Sequence, residues 1–374
     1  MSTLKTGIVG LGKVARLHAA AISDIHNAVL AGVCSRSEAK AQSFAAEYGS
    51  TPFTDVKTMV SECGVDLVII CTPHPNHLQP TLDALDAGAH VLVEKPLAST
   101  LQDCDVMIEA ARTAGRRLGV ISQRRFYPPL LRVKKAMDEG RIGKPVLATV
   151  QMFGWRDKAY YDSDPWRGTW KQEGGGVLVN QAPHQLDLLC WLMGPIEEVY
   201  GHWANLNHPY IEVEDTAMAI LKFKSGAIGN LVLSNSQKPG IYGKLHIHGE
   251  NGASVGAQTE GGSMFIAGMA PITEPPVNDL WTIPGEEDAL EKFNREDRAL
   301  FDRVDPMVYF IRLQIEEMLE ALEQDRDPLV TGAEGRKTVE LFTAIYRSTR
   351  DNLPVSFPLT PETDRNDFDG RYKN

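Results

Sequence analysis

Along the first 122 residues, hydrophobic positions form short, nearly continuous apolar runs separated by stretches in which they recur with helical spacing. Continuous apolar runs are typical of parallel strands that are covered on both faces. The alternation of such strands with helices therefore predicts a parallel sheet flanked by helices. The predicted strands are residues 4–9, 28–34, 66–71, 90–93 and 118–122, and the predicted helices are residues 16–23, 78–87 and 101–114.

The pattern changes in the second part of the chain, where apolar and polar positions alternate along segments that end at glycine-containing turns. This alternation predicts antiparallel strands that build a sheet with one helix-covered face. Two long amphipathic stretches near the end of the chain predict structural helices. The predicted strands are residues 145–153, 215–223, 227–234 and 243–248, and the predicted helices are residues 129–138, 305–324 and 334–348.

Residues 173–194 predict a helix that is buried along much of its length, because the stretch between three glycines and a Gly-Pro pair is rich in leucine and valine. Asn180, His184 and Asp187 are spaced by four and three residues, which places them on a single helical face. Pro183 indicates either that the helix begins near residue 182 or that it is kinked there. A polar stripe on a buried helix indicates either a closed hydrogen-bonded network or an active site.

Composition limits the class of protein. A chain of 374 residues with 43% hydrophobic content is long enough for two cores, which predicts two domains. The net charge of −11 argues against a nucleic-acid or anionic-membrane partner. Five cysteines without a CxxC pair indicate free thiols in a reducing compartment and neither a disulfide framework nor a zinc site. With no signal segment and no apolar run that spans a bilayer, we expect a cytoplasmic protein.

The first strand leads directly into a glycine-rich turn, Gly10-Leu11-Gly12-Lys13-Val14-Ala15, which is followed by a helix. Gly10 permits a tight turn, Gly12 permits the close approach of a pyrophosphate, and Ala15 lets the helix lie on the strand. The helix N-terminus then faces the phosphates. This G-x-G-x-x-A pattern between a strand and a helix predicts a dinucleotide site, against the alternative of a merely structural turn.

The end of the second strand bears on the choice of cofactor. Dinucleotide folds often have an acid here when they bind the ribose 2′-hydroxyl and an arginine when they bind a 2′-phosphate. This chain has Ser35, Arg36 and Ser37, and its first acid is Glu38 in the next helix. The predicted cofactor is therefore NAD or NADP, with NADP favoured by Arg36. The alternatives are that Arg36 is an ordinary surface residue or that it stacks on adenine in an NAD site.

Two further strands end in residues that carry chemistry. Ligands bind beyond the carboxyl ends of parallel strands. His77, in the loop that begins at Thr72 and Pro73, is therefore expected to face the cofactor. The same holds for Lys95, which follows Glu94. His77 is equally interpretable as a helix-cap histidine, and Lys95 as a member of a structural ion pair. Beside an oxidised nicotinamide, both desolvation and the like charge lower the pKa of a lysine, which suits a proton-transfer group.

The crossing between the two domains contains Gln123, Arg124 and Arg125. Gln123 and Arg124 lie just past a strand end, so either is placed to reach the nicotinamide or the substrate. For Arg125 we favour a salt bridge between the domains.

A segment dense in tryptophan and arginine, residues 155–170, precedes the helix that carries His184. Aromatic planes match the C–H faces of carbohydrate rings, and arginine forks match their polar rims. Arg156 and Trp166 are therefore candidate substrate contacts, and the segment predicts a substrate lid. The alternative is a contact between subunits, where these residue types are also enriched.

Four patterns occur in one order along the chain: G-x-G-x-x-A at residues 10–15, T-P-x-x-x-H at 72–77, E-K-P at 94–96 and G-G-G-x-x-x-N-x-x-x-H-x-x-D at 174–187. Together they resemble the glucose–fructose oxidoreductase / inositol dehydrogenase / rhizopine-catabolism (Gfo/Idh/MocA) family, as does the stretch 332–359. The resemblance implies an α/β fold with an N-terminal Rossmann domain, residues 1–123. It also implies a C-terminal α/β domain for substrate binding and oligomerisation, residues 124–374, with a large, mostly antiparallel sheet.

By this resemblance, Lys95 matches the lysine of E-K-P, His184 the helix histidine and Asp187 the acid three residues later. One position departs from the family, which often has aspartate where this chain has Asn180. Asparagine cannot accept the proton or hold a negative charge, but its amide still donates and accepts hydrogen bonds. The resemblance also implies a homodimer or homotetramer formed through the C-terminal sheet.

These observations predict an NAD(P)-dependent dehydrogenase that oxidises a secondary ring hydroxyl of a sugar or cyclic polyol to a ketone. Alternatives on the same scaffold are an NAD-dependent glycosidase that uses transient oxidation and a ligand-sensing regulator. Lys95 and His184 are the candidate proton-transfer residues, and which one is the base stays open. No metal is expected. The predicted cofactor residues are Gly10, Gly12, Lys13, Val14, Ser35, Arg36, Thr72, Pro73, His77, Glu94, Lys95 and Gln123; the predicted substrate residues are Lys95, Arg124, Arg156, Trp166, Asn180, His184 and Asp187.

Overall fold

The structure is a computed structural model that describes residues 3–259 and 272–362. The strands are β1 (Leu4–Val9), β2 (Ala28–Cys34), β3 (Thr51–Phe53), β4 (Leu67–Ile70), β5 (His90–Val93), β6 (Leu118–Val120), β7 (Pro145–Trp155), β8 (Ile196–Ala204), β9 (Thr216–Phe223), β10 (Ile228–Ser234), β11 (Ser236–Gly249), β12 (Ser254–Gln258), β13 (Val277–Trp281) and β14 (Val355–Ser356). The α-helices are α1 (Lys13–Ser23), α2 (Glu38–Tyr48), α3 (Val56–Cys63), α4 (Leu78–Asp86), α5 (Leu101–Ala114), α6 (Pro128–Asp138), α7 (Lys158–Asp162), α8 (Pro183–Met193), α9 (Ala289–Phe301), α10 (Pro306–Glu323) and α11 (Gly332–Asp351).

The chain divides into two compact units. One comprises the chain up to Gln123 together with Met307–Val339, and the other comprises Arg124–Pro306 together with the chain from Glu340. The sequence-based domain boundaries did not separate residues 307–339 from the second domain. An amphipathic pattern identifies the apolar face of a helix such as α10, but it does not identify the sheet that covers this face.

The first unit contains the predicted Rossmann sheet. Its six strands have the order β3-β2-β1-β4-β5-β6, and the neighbouring strands run parallel. Ile8 of β1, Ile69 of β4 and Leu92 of β5 share one apolar core with Ile311 and Ile315 of α10. The predicted α/β fold with a parallel sheet is confirmed, and α10 supplies part of its cover.

Sequence patterns missed one short strand and one short helix of this unit. Strand β3 has only three residues, two of them exposed, and contains a proline. Helix α3 has eight residues, and the Asp55 carboxylate caps it by accepting from Thr58 N at 2.8 Å. Gly64, with a φ of 64°, ends this helix in the left-handed conformation that glycine favours. Elements this short carry too few periodic positions to stand out.

The second unit contains an eight-stranded sheet in the order β13-β12-β11-β7-β10-β9-β8-β14. Most of its neighbouring strands are antiparallel, as predicted, but β10 runs parallel to β7. The sheet is therefore mixed. The meander pattern predicted hairpin neighbours correctly for β9 and β10, but it contained no signal for the long-range pairing of β7.

Residues 173–194 do not form one continuous α-helix. Val177–Gln181 is a single π-helical turn, and α8 begins after it with Pro183 in its first turn, where proline costs no helical hydrogen bond. This confirms the first alternative for Pro183. It also corrects the predicted single helical face, because Asn180 belongs to the wider π turn while His184 and Asp187 belong to α8. Among the helices that the structure describes, none combines the length and apolarity needed to cross a membrane.

Candidate active site

The turn after β1 has the geometry of a dinucleotide cradle. Gly10 has a φ of 89°, and a Cβ there would lie 2.7 Å from the backbone nitrogen of Thr72, so a side chain does not fit. Gly12 is the N-cap of α1, and a Cβ there would meet nothing within 4 Å. No side chain caps α1 and its first turn, which starts with Lys13 and Val14, has no acid. Open space beside an uncapped helix N-terminus fits a diphosphate.

The end of β2 has no carboxylate in the position that would repel a 2′-phosphate. Ser35 Oγ accepts from Ser37 N at 3.2 Å, while Arg36 is exposed. The nearest acid in sequence, Glu38, lies in the first turn of α2. A role for Arg36 in cofactor choice stays a prediction.

His77 connects two loops of the first unit. Its imidazole is 0% exposed, with Nε2 2.8 Å from Thr72 O and Nδ1 3.1 Å from Pro96 O. Burial lowers the pKa of this histidine. Its ring therefore ties the loop after β4 to the loop after β5 and is enclosed by protein, in contrast to the predicted orientation toward the cofactor. The helix-cap alternative was closer, since His77 occupies the N-cap position of α4.

Lys95 follows β5 directly, and its neighbour Glu94 is fixed from two sides. Glu94 Oε1 lies 2.7 Å from Nε2 of the fully buried His18, and its Oε2 accepts from the Lys95 backbone N at 3.1 Å. Burial acts to raise the pKa of Glu94, but the hydrogen bond from His18 and the charges of His18 and Lys95 outweigh it, so the pKa is lowered. Glu94 is therefore an ionised group beside Lys95.

Gln123 is the last residue of the first segment of the first unit, and it begins a short 3₁₀ turn, Gln123–Phe126. Among the described residues, no donor reaches its buried Oε1 atom. A buried acceptor of this kind calls for a donor from outside the protein, such as an amide N–H. Together with the open helix N-terminus at Gly12, this observation fits a nicotinamide dinucleotide in the first unit.

In the second unit, Asp187 of α8 forms a buried ion pair. Its two carboxylate oxygens accept from Nε and Nη2 of Arg125 at 2.9 and 2.7 Å, and the Arg125 guanidinium lies 5.3 Å from the ring centre of Trp191. Both charged side chains are almost fully buried. The pair anchors α8 within one unit, whereas the prediction for Arg125 was a bridge between domains. A substrate contact by Asp187 stays a prediction.

Other predicted residues lie close to α8. Arg124 donates to Gln185 Oε1, and Gln185 Nε2 donates to Thr259 Oγ1 at 3.1 Å. His184 lies in the first turn of α8 and is half-buried, unlike the fully buried leucines that follow it. Gln185 therefore fixes Arg124, and His184 keeps part of its surface outside the apolar core.

Tyr160 of α7 is the centre of a polar network. Its hydroxyl oxygen accepts from Asn180 Nδ2 at 3.1 Å, from Gln181 Nε2 at 3.0 Å and from Arg167 Nη1. The guanidinium groups of Arg156 and Arg167 lie 5.1 and 4.2 Å from its ring centre. Burial raises the pKa of this phenol, so the hydroxyl keeps its proton.

Two buried glutamates accept hydrogen bonds from residues 168–180. Glu173 Oε2 accepts from Gly168 N, and its Oε1 accepts from Asn180 Nδ2. Glu214 accepts from Gly176 N and Leu178 N, both at 2.9 Å. Burial raises the pKa of each carboxyl to about 7 despite these hydrogen bonds.

The aromatic segment, residues 155–170, forms a wall that buried side chains hold in place, and its role as a substrate lid stays a prediction. It contains the short helix α7, and Tyr160, Tyr161 and Trp170 are buried. Arg156 is also buried, and burial lowers the pKa of its guanidinium. Trp166 stays partly exposed, with the Arg167 guanidinium 4.4 Å from its ring centre. Side chains anchored in this way provide fixed surface for a ligand.

Several residues of these networks were not found from the sequence. Glu173 directly precedes the three glycines and Tyr160 lies in the aromatic segment, so both had a local signal. His18, Gln181 and Glu214 had none, because their contacts join segments far apart in the chain. In the described part of the chain, no group of three or more His, Cys, Asp or Glu side chains is arranged to hold a metal ion.

Comparison with known families identifies both parts of the chain. Residues 4–122 match the family described as "Oxidoreductase family, NAD-binding Rossmann fold". Residues 130–255 match the family described as "GFO/IDH/MocA C-terminal domain". The two matches follow one another in the same order as the four sequence patterns.

Individual relatives agree with these matches. The chain is 32% identical to the 1,5-anhydro-D-fructose reductase of Ensifer adhaerens over 67% of its own length and 74% of the relative's. It is 29% identical to the myo-inositol 2-dehydrogenase of Thermotoga maritima over the same two shares. Among solved structures, the WlbA dehydrogenase from Bordetella pertussis in complex with NADH and UDP-GlcNAcA superposes with a TM-score of 0.81 at 31% identity, covering 96% of this chain and all of that one.

Proposed function

The chain belongs to the Gfo/Idh/MocA family of NAD-binding oxidoreductases, and on this premise we propose that it oxidises a secondary ring hydroxyl of a sugar or cyclic polyol to a ketone. Relatives with 29–32% identity are named as an inositol dehydrogenase, an anhydrofructose reductase and the WlbA dehydrogenase, whose structure contains NADH and UDP-GlcNAcA. Their common chemistry is the interconversion of a hydroxyl and a carbonyl group.

The single observation that carries the proposal lies in the first unit. Lys95 follows β5 at the carboxyl edge of the same parallel sheet in which β1 ends at the Gly10 turn. At such an edge, a dinucleotide and a proton-transfer group share one crevice. The proposed cofactor residues are those of the glycine turn and of the strand ends: Gly10, Gly12, Lys13, Val14, Ser35, Arg36, Thr72, Pro73, Glu94, Lys95 and Gln123.

Oxidation of an alcohol removes a hydride from carbon and a proton from oxygen. When bound, the nicotinamide dinucleotide supplies the hydride acceptor. The chain supplies the proton acceptor, for which we propose Lys95 and His184, and a base held at the hydroxyl lowers the barrier to proton loss. The ionised Glu94 beside Lys95 favours the protonated lysine that results from this transfer.

The second unit provides the proposed contacts that orient the substrate. Asn180 has a fixed amide, Arg124 is held by Gln185, and Arg156 and Trp166 belong to the anchored aromatic wall. Asp187 acts in this proposal through its ion pair with Arg125, which holds the helix that carries His184. A substrate held by fixed groups reacts with less loss of entropy.

Three finer statements belong to the same proposal. Arg36 favours NADP at least as much as NAD, because no acid at the end of β2 excludes a 2′-phosphate. The protein assembles as a homodimer or homotetramer through the sheet of the second unit. It acts in the cytoplasm on small molecules.

The test is a substrate panel read by the absorbance of reduced cofactor, with NAD and NADP in parallel. The panel contains cyclic polyols, free pyranoses and UDP-linked sugar acids, and Lys95→Ala serves as the inactive control. We expect reduced cofactor to accumulate with at least one ring polyol or pyranose-containing compound. A tightly held cofactor with no net reduction, together with release of a leaving group, would instead identify the glycosidase alternative.

A further inference from the structure

Both amide hydrogens of Asn180 are directed at acceptors inside the protein. The Nδ2 group donates to the Tyr160 hydroxyl at 3.1 Å and to Glu173 Oε1. These two contacts set the orientation of the amide and turn its carbonyl oxygen, Oδ1, to the other side. Oδ1 only accepts hydrogen bonds. The remaining polar atom of Asn180 is therefore a hydrogen-bond acceptor. An amide that rotates freely would offer either its oxygen or its NH₂ group.

Glu173 is able to impose this orientation because both oxygens of its carboxylate only accept hydrogen bonds. Oε2 accepts from the buried Gly168 N–H, and a buried backbone donor requires an acceptor. The other oxygen, Oε1, then faces the Asn180 NH₂ group. Only a carboxylate offers two acceptor oxygens here, whereas a glutamine offers one oxygen and one NH₂ group.

We propose that Glu173 is a positioning residue that makes Asn180 a hydrogen-bond acceptor for the substrate or the protonated base. In this pair, Asn180 provides the acceptor oxygen and Glu173 provides the negative charge behind it. The inference rests on the proposed function, because it assumes that Asn180 lies at the substrate site.

An exchange of the two functional groups tests the pair. In Glu173→Gln, the glutamine oxygen accepts from Gly168 N–H, so the glutamine NH₂ group faces Asn180. The side-chain amide of Asn180 then rotates so that its oxygen accepts from this NH₂ group. We expect kcat/KM to fall roughly 10- to 100-fold, mainly through kcat. In Asn180→Asp, two carboxylates face each other and activity also falls.

The double variant Glu173→Gln/Asn180→Asp restores one carboxylate and one amide in exchanged positions. The introduced glutamine then offers its oxygen to Gly168 N–H and its NH₂ group to the introduced carboxylate at position 180. We expect kcat/KM to recover by about tenfold over Glu173→Gln. The matched control is Glu212→Gln, which removes another carboxylate that accepts a backbone N–H of the same segment, from Trp170 at 3.2 Å. This control is expected to keep wild-type kcat/KM.

A measurement without substrate separates this inference from the proposed function. The side-chain NH₂ signals of Asn180 are assigned in the NMR spectrum of ¹⁵N-asparagine-labelled protein by their loss in Asn180→Asp. Protonation of Glu173 replaces an acceptor with a donor, so in the wild type these signals should titrate with a midpoint of about 7. In Glu173→Gln they should shift and lose this titration, while Glu212→Gln leaves them unchanged.

Other ionisable groups around Glu173 are accounted for in this titration. Arg167 acts to lower the pKa of Glu173, and Glu214 acts to raise it. The Tyr161 and Tyr346 phenols also face it, and burial raises their pKa values above the range of the titration. The same holds for the Tyr160 phenol. Glu214 titrates in the same range, but the backbone amides of Gly176 and Leu178 report its state separately.

Each outcome decides a separate statement. If no compound is turned over but the Asn180 signals titrate and respond to Glu173→Gln, the proposed function fails and the pair stands. If the signals do not respond to Glu173→Gln, the positioning role is overturned. If they respond while kcat/KM of Glu173→Gln equals that of the wild type, the contact is only structural and the positioning role is overturned as well.

Discussion

The carboxylates of the two units show that burial alone does not determine a charge state. At the end of β5, Glu94 is only 13% exposed but has a lowered pKa. The His18 ring and the Lys95 backbone N–H form hydrogen bonds with its carboxylate, and both residues place positive charge beside it. In the second unit, Glu173 and Glu214 are held mainly by neutral N–H and O–H groups, and burial raises the pKa of each to about 7.

This difference matches the roles proposed for the two regions. A carboxylate with cationic neighbours stays ionised over the whole neutral range, which provides constant electrostatic support for Lys95. A carboxylate held by neutral donors changes protonation near neutral pH and changes its hydrogen bonds when it does so. In the first unit, Glu94 supplies a constant negative charge. In the second unit, Glu173 and Glu214 hold backbone N–H groups and the Asn180 amide in place.

The strongest test of this comparison is a further buried carboxylate, Asp187, which has a cationic partner in the second unit. Asp187→Asn leaves the buried guanidinium of Arg125 without its charge partner, and we expect the free energy of unfolding to fall by about 3–5 kcal/mol. Urea denaturation measures the change. Asp138→Asn, in an exposed pair with Lys134, is the control and should cost less than about 1 kcal/mol. An equally small loss in Asp187→Asn would contradict the importance of the cationic partner.

The next largest effect is expected at Lys95, which lies beside the ionised Glu94 in the first unit. Lys95→Ala should lower kcat by about two orders of magnitude or more while dinucleotide binding persists, because a proton-transfer group is lost. Steady-state kinetics and cofactor titration measure the two quantities. Lys57→Ala removes an exposed lysine paired with Asp86 and should leave both unchanged. Normal turnover of a folded Lys95→Ala enzyme would show that the lysine is structural.

His184 tests whether the second region contains chemistry or only structure. At this partly exposed position, His184→Ala should lower kcat about tenfold or more with little change in melting temperature if the side chain faces a solvated substrate pocket. A closed core network would instead lose about 1–3 kcal/mol of stability. His184→Asn keeps hydrogen bonding but provides no base near neutral pH. Full activity of this variant would leave Lys95 as the proton acceptor.

A smaller effect is expected at Arg36, which is exposed at the end of β2. Arg36→Ala should raise the dissociation constant for NADP about tenfold, because a charge-assisted contact with the 2′-phosphate is lost, and should leave the constant for NAD unchanged. Isothermal titration with both dinucleotides measures the change. A preference for NAD in the wild type that Arg36→Ala does not alter would refute the proposed role of Arg36.

The last test is a change in the pH dependence of stability, with opposite signs in the two regions. The pKa of Glu214 rises from 4.5 in the unfolded chain to about 7, so its contribution is fully present below pH 4.5 and is lost as the pH rises to about 7. The lowered pKa of Glu94 gives a contribution that is present above pH 4.5 and is lost as the pH falls. Glu214→Gln should therefore flatten the stability profile between pH 5 and 7, and Glu94→Gln should flatten it below pH 4.5. A profile that Glu214→Gln leaves unchanged would argue against its raised pKa.

The elements that position the cofactor side were predictable because their signals are local. The predicted bounds of β1, β2, β5 and α5 agree with the structure, since buried parallel strands and a capped amphipathic helix are visible in short windows of sequence. The glycine turn was predictable for the same reason. In the second unit, the parallel pairing of β7 with β10 and the contacts of Glu214 depend on residues distant in sequence, and no local pattern contains them.

Predictions were least successful where one residue type has several uses. His77 was expected to face the cofactor or to cap a helix, but its buried ring joins two loops. Asp187 was expected to contact the substrate; it pairs with Arg125, and its substrate contact stays a prediction. A buried histidine or aspartate looks the same in sequence whether its partner is a substrate, a backbone carbonyl or an arginine. Only the three-dimensional neighbours distinguish these uses.

The inclusion of α10 in the first unit has a consequence for the order of synthesis. The six-stranded sheet is complete in sequence by Val120, but the side chains that cover part of its core, including Ile311 and Ile315, are translated almost two hundred residues later. At about 5–20 residues per second, the nascent sheet exposes this apolar surface for roughly ten seconds or more. The first unit therefore cannot finish folding until residues 307–339 have been translated, by which point residues 124–306 of the second unit have already been synthesised.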